Sequence, residues 1–290
     1  MNPSIPESDG VVRAMTDDST FRVITARTTQ TVLGAISAQK AAGFTASVLG
    51  DLITAAILVR ESMAPDLRVQ IILQCQGQRG RVVADAHPDG SSRGLVQRSV
   101  TTTDVSLRDG DLIHVARTLH NGALQQGTVE ALAKGGVSQA LMQYMQLSEQ
   151  IFTVCAVGCY EEADGIVAAG GYLVQLLPEV LEPSGPLLVM AERLRDFESM
   201  QPWLARRLGA PATLMGELLH AMPYTVVSEG SLHFGCQCSA ERVAMALSTL
   251  PKPDIEDLLR QDAPVDLTCD YCGKAYSFQK AHLRGLLARN

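Results

Sequence analysis

His233-Phe234-Gly235-Cys236-Gln237-Cys238 and, thirty residues further on, Cys269-Asp270-Tyr271-Cys272-Gly273 are the stretches around which the chain is organised. They hold four of the seven cysteines, as one C-x-C and one C-x-x-C pair. Two short turns of this kind each bring two sulfurs onto one ion, which is what tetrahedral zinc requires. Gly273 permits the tight turn of a metal knuckle. Four cysteine ligands (Cys236, Cys238, Cys269 and Cys272) close the coordination sphere, so no position is left for a hydrolytic water. The zinc-deaminase pattern H-x-E with P-C-x-x-C is absent. His233 and His282 flank the cysteines as substitute ligands, although the thiolate set is complete without them. Disulfides would need an oxidising compartment, and four unconnected thiols are the bland alternative. Thiolates are also oxidisable, and a C-x-x-C thiol has a resolving partner within reach. The spacing therefore leaves two roles open, a staple and a redox switch.

Other residues narrow the choice. Phe234-x-Cys236-x-Cys238-Ser239, Glu241-Arg242 and Cys269-x-Tyr271-Cys272-Gly273-x-x-Tyr276-x-Phe278 form one constellation. Upstream lie Tyr144 followed by Ser148-Glu149-Gln150, and the run from Gly165 to Pro178 (GIVAAGGYLVQLLP), with Arg93-Gly94 and Gln126-Gly127 as shorter matches. Together these resemble the heat-shock protein 33 family, the redox-regulated holdase chaperones of bacteria, over most of residues 20–290. Gln125 stands where the family usually has Tyr. The resemblance implies a reduced, zinc-bound, inactive form with one Zn2+ per chain. It implies activation by peroxide with mild heat, or by hypochlorous acid, through Cys269–Cys272 and Cys236–Cys238 disulfides. Zinc then leaves, the C-terminal module and its linker unfold, and apolar surface becomes available to unfolding client proteins. It also implies a homodimer when oxidised.

Bulk properties agree with a folded protein of this type. The chain has 290 residues, 46% of them apolar, enough for one large core or two domains. A net charge of −7 lacks the basic footprint of a nucleic-acid binder. Residues 232–290 carry seven Lys/Arg and seven Asp/Glu, which argues against a nucleic-acid-binding zinc ribbon. The longest mainly apolar run, Leu52–Val59, is too short to span a bilayer, and MNPSIPESDG lacks the features of a signal peptide. The expectation is a cytoplasmic protein with no membrane or nucleic-acid partner. A thiol oxidoreductase using Cys269-x-x-Cys272 is a third class, but it would need an exposed thiol at a helix N-terminus in a βαβ context.

The expected fold class is α+β: a mixed sheet-and-helix core (1–181), a metastable helical linker (182–231) and a small zinc-binding redox-switch domain (232–290). The core is read as the client-binding and dimerisation domain. Residues 1–19 read as a polar lead-in and 21–25 as a strand. Helices follow at 31–42 and 46–62, the second ended by Pro65. Strict alternation predicts a strand at 67–75, paired back through 81–86, with further strands at 94–99 and 111–117. A helix at 138–149 precedes a hairpin of 151–160 with 165–177. Pro178, Pro183 and Pro186 mark the domain boundary. Beyond it Met190, Leu194, Phe197, Trp203 and Leu204 line an apolar helical surface. Such a surface is ordinarily core, and the resemblance makes it a client-binding candidate. Pro211 starts a helix over 212–221. Strands 224–227 and 231–234 are expected to pair. Helices capped by Ser239 and begun at Pro253, a hairpin over 267–278 and an amphipathic helix over 279–288 complete the reading.

Cys75, Cys155 and Cys159 fall on predicted strands as small buried hydrophobes. Four strand residues span roughly 13 Å, too far for a Cys155–Cys159 disulfide. Gly135-Gly136 and Gly170-Gly171 show no phosphate-loop pattern, and no G-x-S-x-G nucleophile motif is present. Ser148-Glu149-Gln150 reads as structural rather than acid–base. The sequence as a whole reads as a non-enzyme.

Overall fold

The computed structural model describes residues 8–64, 66–100, 102, 104–119, 121–178, 180, 183–206, 210–260 and 264–279. It divides into two compact units, Met1–Gly235 and Cys236–Asn290. The chain opens with β1 (Gly10–Thr16) and β2 (Phe21–Arg27), followed by α1 (Thr29–Gln39) and α2 (Gly43–Ser62). A run of strands comes next: β3 (Val69–Gln74), β4 (Gly80–Ala86), β5 (Ser91–Arg98), β6 (Leu112–Thr118) and β7 (Leu124–Glu130). Then α3 (Gly136–Tyr144) widens into a π-helical turn at Met145–Glu149, and β8 (Thr153–Glu162) and β9 (Gly165–Leu176) form a long hairpin. The first unit closes with α4 (Ser184–Leu194), α5 (Gln201–Ala205), α6 (Pro211–Leu218), β10 (Tyr224–Ser231) and β11 (His233–Phe234). The second holds α7 (Ala240–Ser248), α8 (Lys252–Arg260), β12 (Val265–Thr268) and β13 (Ala275–Phe278).

The first unit is α+β. One sheet runs β10-β1-β2-β9-β8 and is antiparallel throughout; the other runs β11-β5-β4-β3-β6-β7, parallel only where β11 meets β5. The period-two pattern of β3 turns Val69, Ile71 and Leu73 to the core while Gln70, Ile72 and Gln74 stay half-buried. Those core residues meet Leu49, Leu52, Ile53 and Ile57 of α2, and α2 in turn meets Ile24, Cys155 and Leu173 from the first sheet. The two sheets thus pack on one central helix. With twenty residues of high mean hydropathy, α2 has the length and composition of a membrane span, which corrects the short apolar run read from sequence. It is 72% buried over its most apolar window, as a core helix would be. Asp51 and the alanines interrupt the run without exposing the face.

The opposite face of the five-stranded sheet carries a second core. Val12, Ala14, Phe21, Val23, Ala156, Ala168, Tyr172 and Val174 supply the sheet side. Met190, Leu194, Met200, Leu204, Leu214, Met215 and Leu218 supply the helical side, with Phe197 and Trp203 half-buried at the margin.

Several elements differ from the sequence reading. The lead-in contains β1, an interior strand of its sheet, because Val12 and Ala14 face a core on alternate positions while Arg13 points away to Glu61 at 3.3 Å. The polar strand β7 gave no pattern because it is the exposed edge of its sheet. Strands 224–227 and 231–234 do not form a hairpin. Instead β10 pairs with β1, and β11 pairs with β5. Phe234 rests on Gly34, where a Cβ would come within 2.6 Å of it, so α1 can approach that strand only through a glycine. The helix expected over 138–149 leaves the α-helical pattern at Met145. The helix expected over 279–288 lies outside the described residues.

Candidate metal centre

In the second unit, the stretch after β11 carries Cys236 and Cys238 and ends at Ser239, whose hydroxyl accepts the Arg242 amide at 3.2 Å and caps α7. Arg242 also donates to the Gln237 carbonyl at 2.7 Å, fixing the residue between the two thiols. The other pair sits on the turn between β12 and β13, whose register pairs Thr268 with Ala275 and Leu267 with Tyr276. The Cys269 amide donates to Lys274 at 2.9 Å, and the Gly273 amide donates back to Cys269 at 2.8 Å. Gly273 holds φ at 74°, the left-handed conformation that closes a knuckle. A small core of Leu247, Val265, Tyr276 and Phe278 packs beneath.

These elements bring the four sulfurs together. Cys236 and Cys269 Sγ are 3.7 Å apart, Cys238 and Cys272 Sγ 3.4 Å, and all four lie within 4.8 Å of one another. Tetrahedral zinc with Zn–S near 2.3 Å would space its sulfurs by about 3.8 Å, so the donor set fits a metal of that kind. The thiols' acidity fits as well. Cys238 comes down to about 7: burial pushes it up, but hydrogen bonds from Tyr276, Cys272, Cys236 and Cys269 outweigh burial. Cys272 is pushed up to about 12, by burial and then by the adjoining thiols, and Cys269 is also raised, by burial foremost. One thiolate is thus stabilised by its neighbours, while burial foremost opposes ionisation of Cys269 and Cys272. A cation removes that conflict and lets the set ionise together. Among the described residues this is the one group of three or more His, Cys, Asp or Glu side chains close enough to hold a metal ion. His233 lies in the first unit, on β11, and His282 lies outside the described residues.

The other three cysteines are placed as small hydrophobes. Cys155 and Cys159 lie on β8, and Cys75 lies one residue past β3, each at most 5% exposed. Burial raises all three thiols, to about 11 for Cys75 (with Asp111 adding) and about 12 for Cys155, so they are poor nucleophiles. Changing all three to alanine should leave metal stoichiometry and the response to peroxide unaltered. The cost should be a few kcal/mol of core stability, about 1 per deleted thiol. A triple variant that folds and binds metal yet no longer reacts with peroxide would assign one of them to thiol oxidation.

Met190, Leu194, Phe197, Trp203 and Leu204 are brought together as the helical side of the second core. Phe197 and Trp203 face each other at 6.3 Å between ring centroids, and the Tyr172 hydroxyl donates to the Phe197 carbonyl at 3.0 Å. Ser148-Glu149-Gln150 has a structural task. Glu149 accepts the Tyr144 hydroxyl at 2.5 Å and pairs with Arg117 at 2.8 Å. Tyr144 and Ser148 close over Gly127, where a Cβ would lie 2.5 Å from the Ser148 hydroxyl. Gln125 is exposed, so the residue type there is not part of that packing. Sequence reasoning missed Tyr276 as a partner of the sulfurs. It lies 38 residues from Cys238, and a Tyr on a short strand reads first as core.

The Hsp33 protein family model matches residues 9–279. The chain is 31% identical over 294 residues to a 33 kDa chaperonin of Citrifermentans bemidjiense, covering 97% of each chain. It is 29% identical to a 33 kDa chaperonin of Synechocystis sp., covering 97% of this chain and 96% of the other. The crystal structure of a 33 kDa chaperonin from Thermotoga maritima shares the fold, with a TM-score of 0.82 at 22% identity, over 97% of this chain and 98% of that one.

Proposed function

This chain belongs to the Hsp33 family of chaperones, and from that premise we propose that it is an ATP-independent holdase held inactive by zinc and switched on by oxidation. The observation that carries the reading is the cluster of four sulfurs, all within 4.8 Å of one another. Cys236, Cys238, Cys269 and Cys272 hold one Zn2+ per chain in the reduced protein. Zinc, when bound, keeps the four thiols ionised and cross-links the loop before α7 to the β12–β13 turn.

The switch is sulfur chemistry. A thiolate attacks peroxide, loses two electrons to become a sulfenic acid, and releases hydroxide. The neighbouring thiol displaces that hydroxyl as water and forms a disulfide. Two thiols and one peroxide thus give one disulfide and two waters. All four sulfurs are within reach of one another; the family resemblance implies that Cys269 bridges Cys272 and Cys236 bridges Cys238, and that bridging removes the donor set.

Release of apolar surface follows from how residues 182–231 are held. Every member of their core lies before residue 236, so the helices dock on the five-stranded sheet rather than support themselves. Among them α5 has five residues and α6 eight, too short to persist alone. The strand that follows, β10, is a sheet edge with Val226 and Val227 exposed, and the two-residue β11 leads directly to Cys236. Unfolding that begins at Cys236 travels back through β11 and this edge strand, which pairs only with β1. It frees Met190, Leu194, Phe197, Trp203 and Leu204, and also the sheet face they cover, for unfolding client proteins. The active form is a homodimer acting in the cytoplasm, with no membrane or nucleic-acid partner and no catalytic residue.

A thiol oxidoreductase fits less well, since Cys269 and Cys272 sit on a strand-to-strand turn rather than at a helix N-terminus. The test is light scattering by a thermally unfolding client enzyme, read together with metal released to a chromophoric chelator. The reduced protein should leave aggregation unchanged. After peroxide with mild heat, about one zinc per chain should be released, and aggregation should fall several-fold. Equal activity in both states, or insulin reduction in place of holdase activity, would contradict the proposal.

A further inference from the structure

One side chain outside the four cysteines touches the cluster in a way that packing alone does not require. Tyr276 lies on β13, four residues past Cys272, and its ring is 9% exposed within the small core of the second unit. Its hydroxyl does not turn to solvent. It donates to Cys238 Sγ at 3.1 Å. Cys238 belongs to the opposite pair, so this bond ties the C-x-C loop to the hairpin that carries C-x-x-C. The Lys274 ammonium lies 5.4 Å from the centre of the same ring and adds a cation–π contact. Leu267 is Tyr276's cross-strand partner, so the position of the ring is set by the β12–β13 register.

We propose that Tyr276 is a positioning residue of the switch: its O–H···S bond fixes Cys238 in the cluster and sets how readily the cluster gives up its metal and reacts with oxidant. The inference rests on the four-cysteine metal site proposed above. A hydrogen bond to a ligating sulfur withdraws electron density from it, which makes the sulfur a poorer nucleophile toward peroxide. The same bond holds the sulfur at the metal, as outer hydrogen bonds do for ligands generally. The threshold for oxidation is then a property of one hydroxyl as well as of four thiols.

Tyr276→Phe tests this, because it keeps the ring and its packing and removes only the oxygen. Competition with a chromophoric chelator should show zinc affinity lower by about 10–100-fold. Zinc release by peroxide should be several-fold faster. In the cobalt-substituted protein, the sulfur-to-cobalt charge-transfer band should move to lower energy, because the freed sulfur is the better donor; a purely structural role for Tyr276 would leave that band in place. Phe278→Leu, which disturbs the same core without touching a sulfur, should leave the band where it is. Equal affinity and an unmoved band in Tyr276→Phe would overturn the role of the hydroxyl while leaving the metal site standing. Parent protein that binds neither zinc nor cobalt would overturn the site itself.

Discussion

Stripping the metal from the reduced protein, or replacing Cys272 by serine, should unfold residues 236–278, release the helices of 187–221 with them, and leave the first unit's two-sheet core folded. The second unit spans ~55 residues, and its described core cluster has four buried members, Leu247, Val265, Tyr276 and Phe278. A chain of that size rarely holds together on such a core. A structural zinc site contributes on the order of 10–16 kcal/mol of apparent binding free energy. Removing a zinc ion held by the four cysteines would take away the largest single stabilising contribution to that unit. Serine at any of the four positions should lower metal affinity by orders of magnitude, since a hydroxyl does not ionise as a thiol does. Hydrogen exchange should show the amides of α7 and of the β12–β13 hairpin losing protection, while those of α2, β3 and β9 stay slow. A metal-free protein in which β12 and β13 remained protected would show that the core suffices and that the metal is not the staple.

The legibility of this chain was uneven, and the physical reasons differ from place to place. The four-cysteine cluster was readable because C-x-C and C-x-x-C are local: each turn positions its own pair whatever the rest of the fold does. That the two pairs meet across thirty residues followed from the four-ligand requirement and from the family resemblance. α2 and β3 were readable because a buried face imposes its period on the residue pattern. β7 was not, since an edge strand that faces water on both sides has no such pattern to impose, and of β10 only the strand at 224–227 was readable, not its pairing with β1. β1 hid behind its polar surroundings. Burial of charge was illegible as well. Asp85 is fully buried on β4 and is held by Arg68 at 2.5 Å, Arg93 at 2.9 Å and His87 at 3.3 Å. Burial pushes that carboxyl up, but the hydrogen bonds from His87 and Arg68 outweigh it and keep it well below the usual carboxylate range. Such pairs are set by strand register, as Asp85 opposite Arg93 shows, and no spacing in one segment announces them. Tyr276 was missed for the same reason.

Oxidation should release the helices of residues 187–221 from the five-stranded sheet, and this is the larger of the two structural changes expected. In the folded state, Met190, Leu194 and Leu204 are at most 8% exposed. Each large side chain of this kind gives roughly 1.5–3 kcal/mol when fully buried. Once the helices lift, that stabilisation is lost on both partners. It is regained in part when a client's apolar segments cover the sheet face of Phe21, Val23, Tyr172 and Val174. The energetics therefore favour release only while unfolding client is present or while the connection through β10 and β11 no longer holds the helices down. Met190→Asp, which puts a charge into that core, should make the reduced protein partly active without any loss of zinc. If it does not, the docked helices are not what masks the client surface.

The central claim is that loss of the metal centre and release of these helices are one event. Trp203, the chain's single tryptophan, lies at the margin of the helical core against Phe197 and reports on it directly. The decisive measurement follows Trp203 emission, hydrogen exchange and suppression of client aggregation in the same peroxide-treated sample. The emission should shift to the red, and amides of 187–221 should lose protection together with those of 236–278. Holdase activity should rise in step, while 67–177 stays protected. Holdase activity appearing with Trp203 emission unshifted and 187–221 still protected would contradict the account.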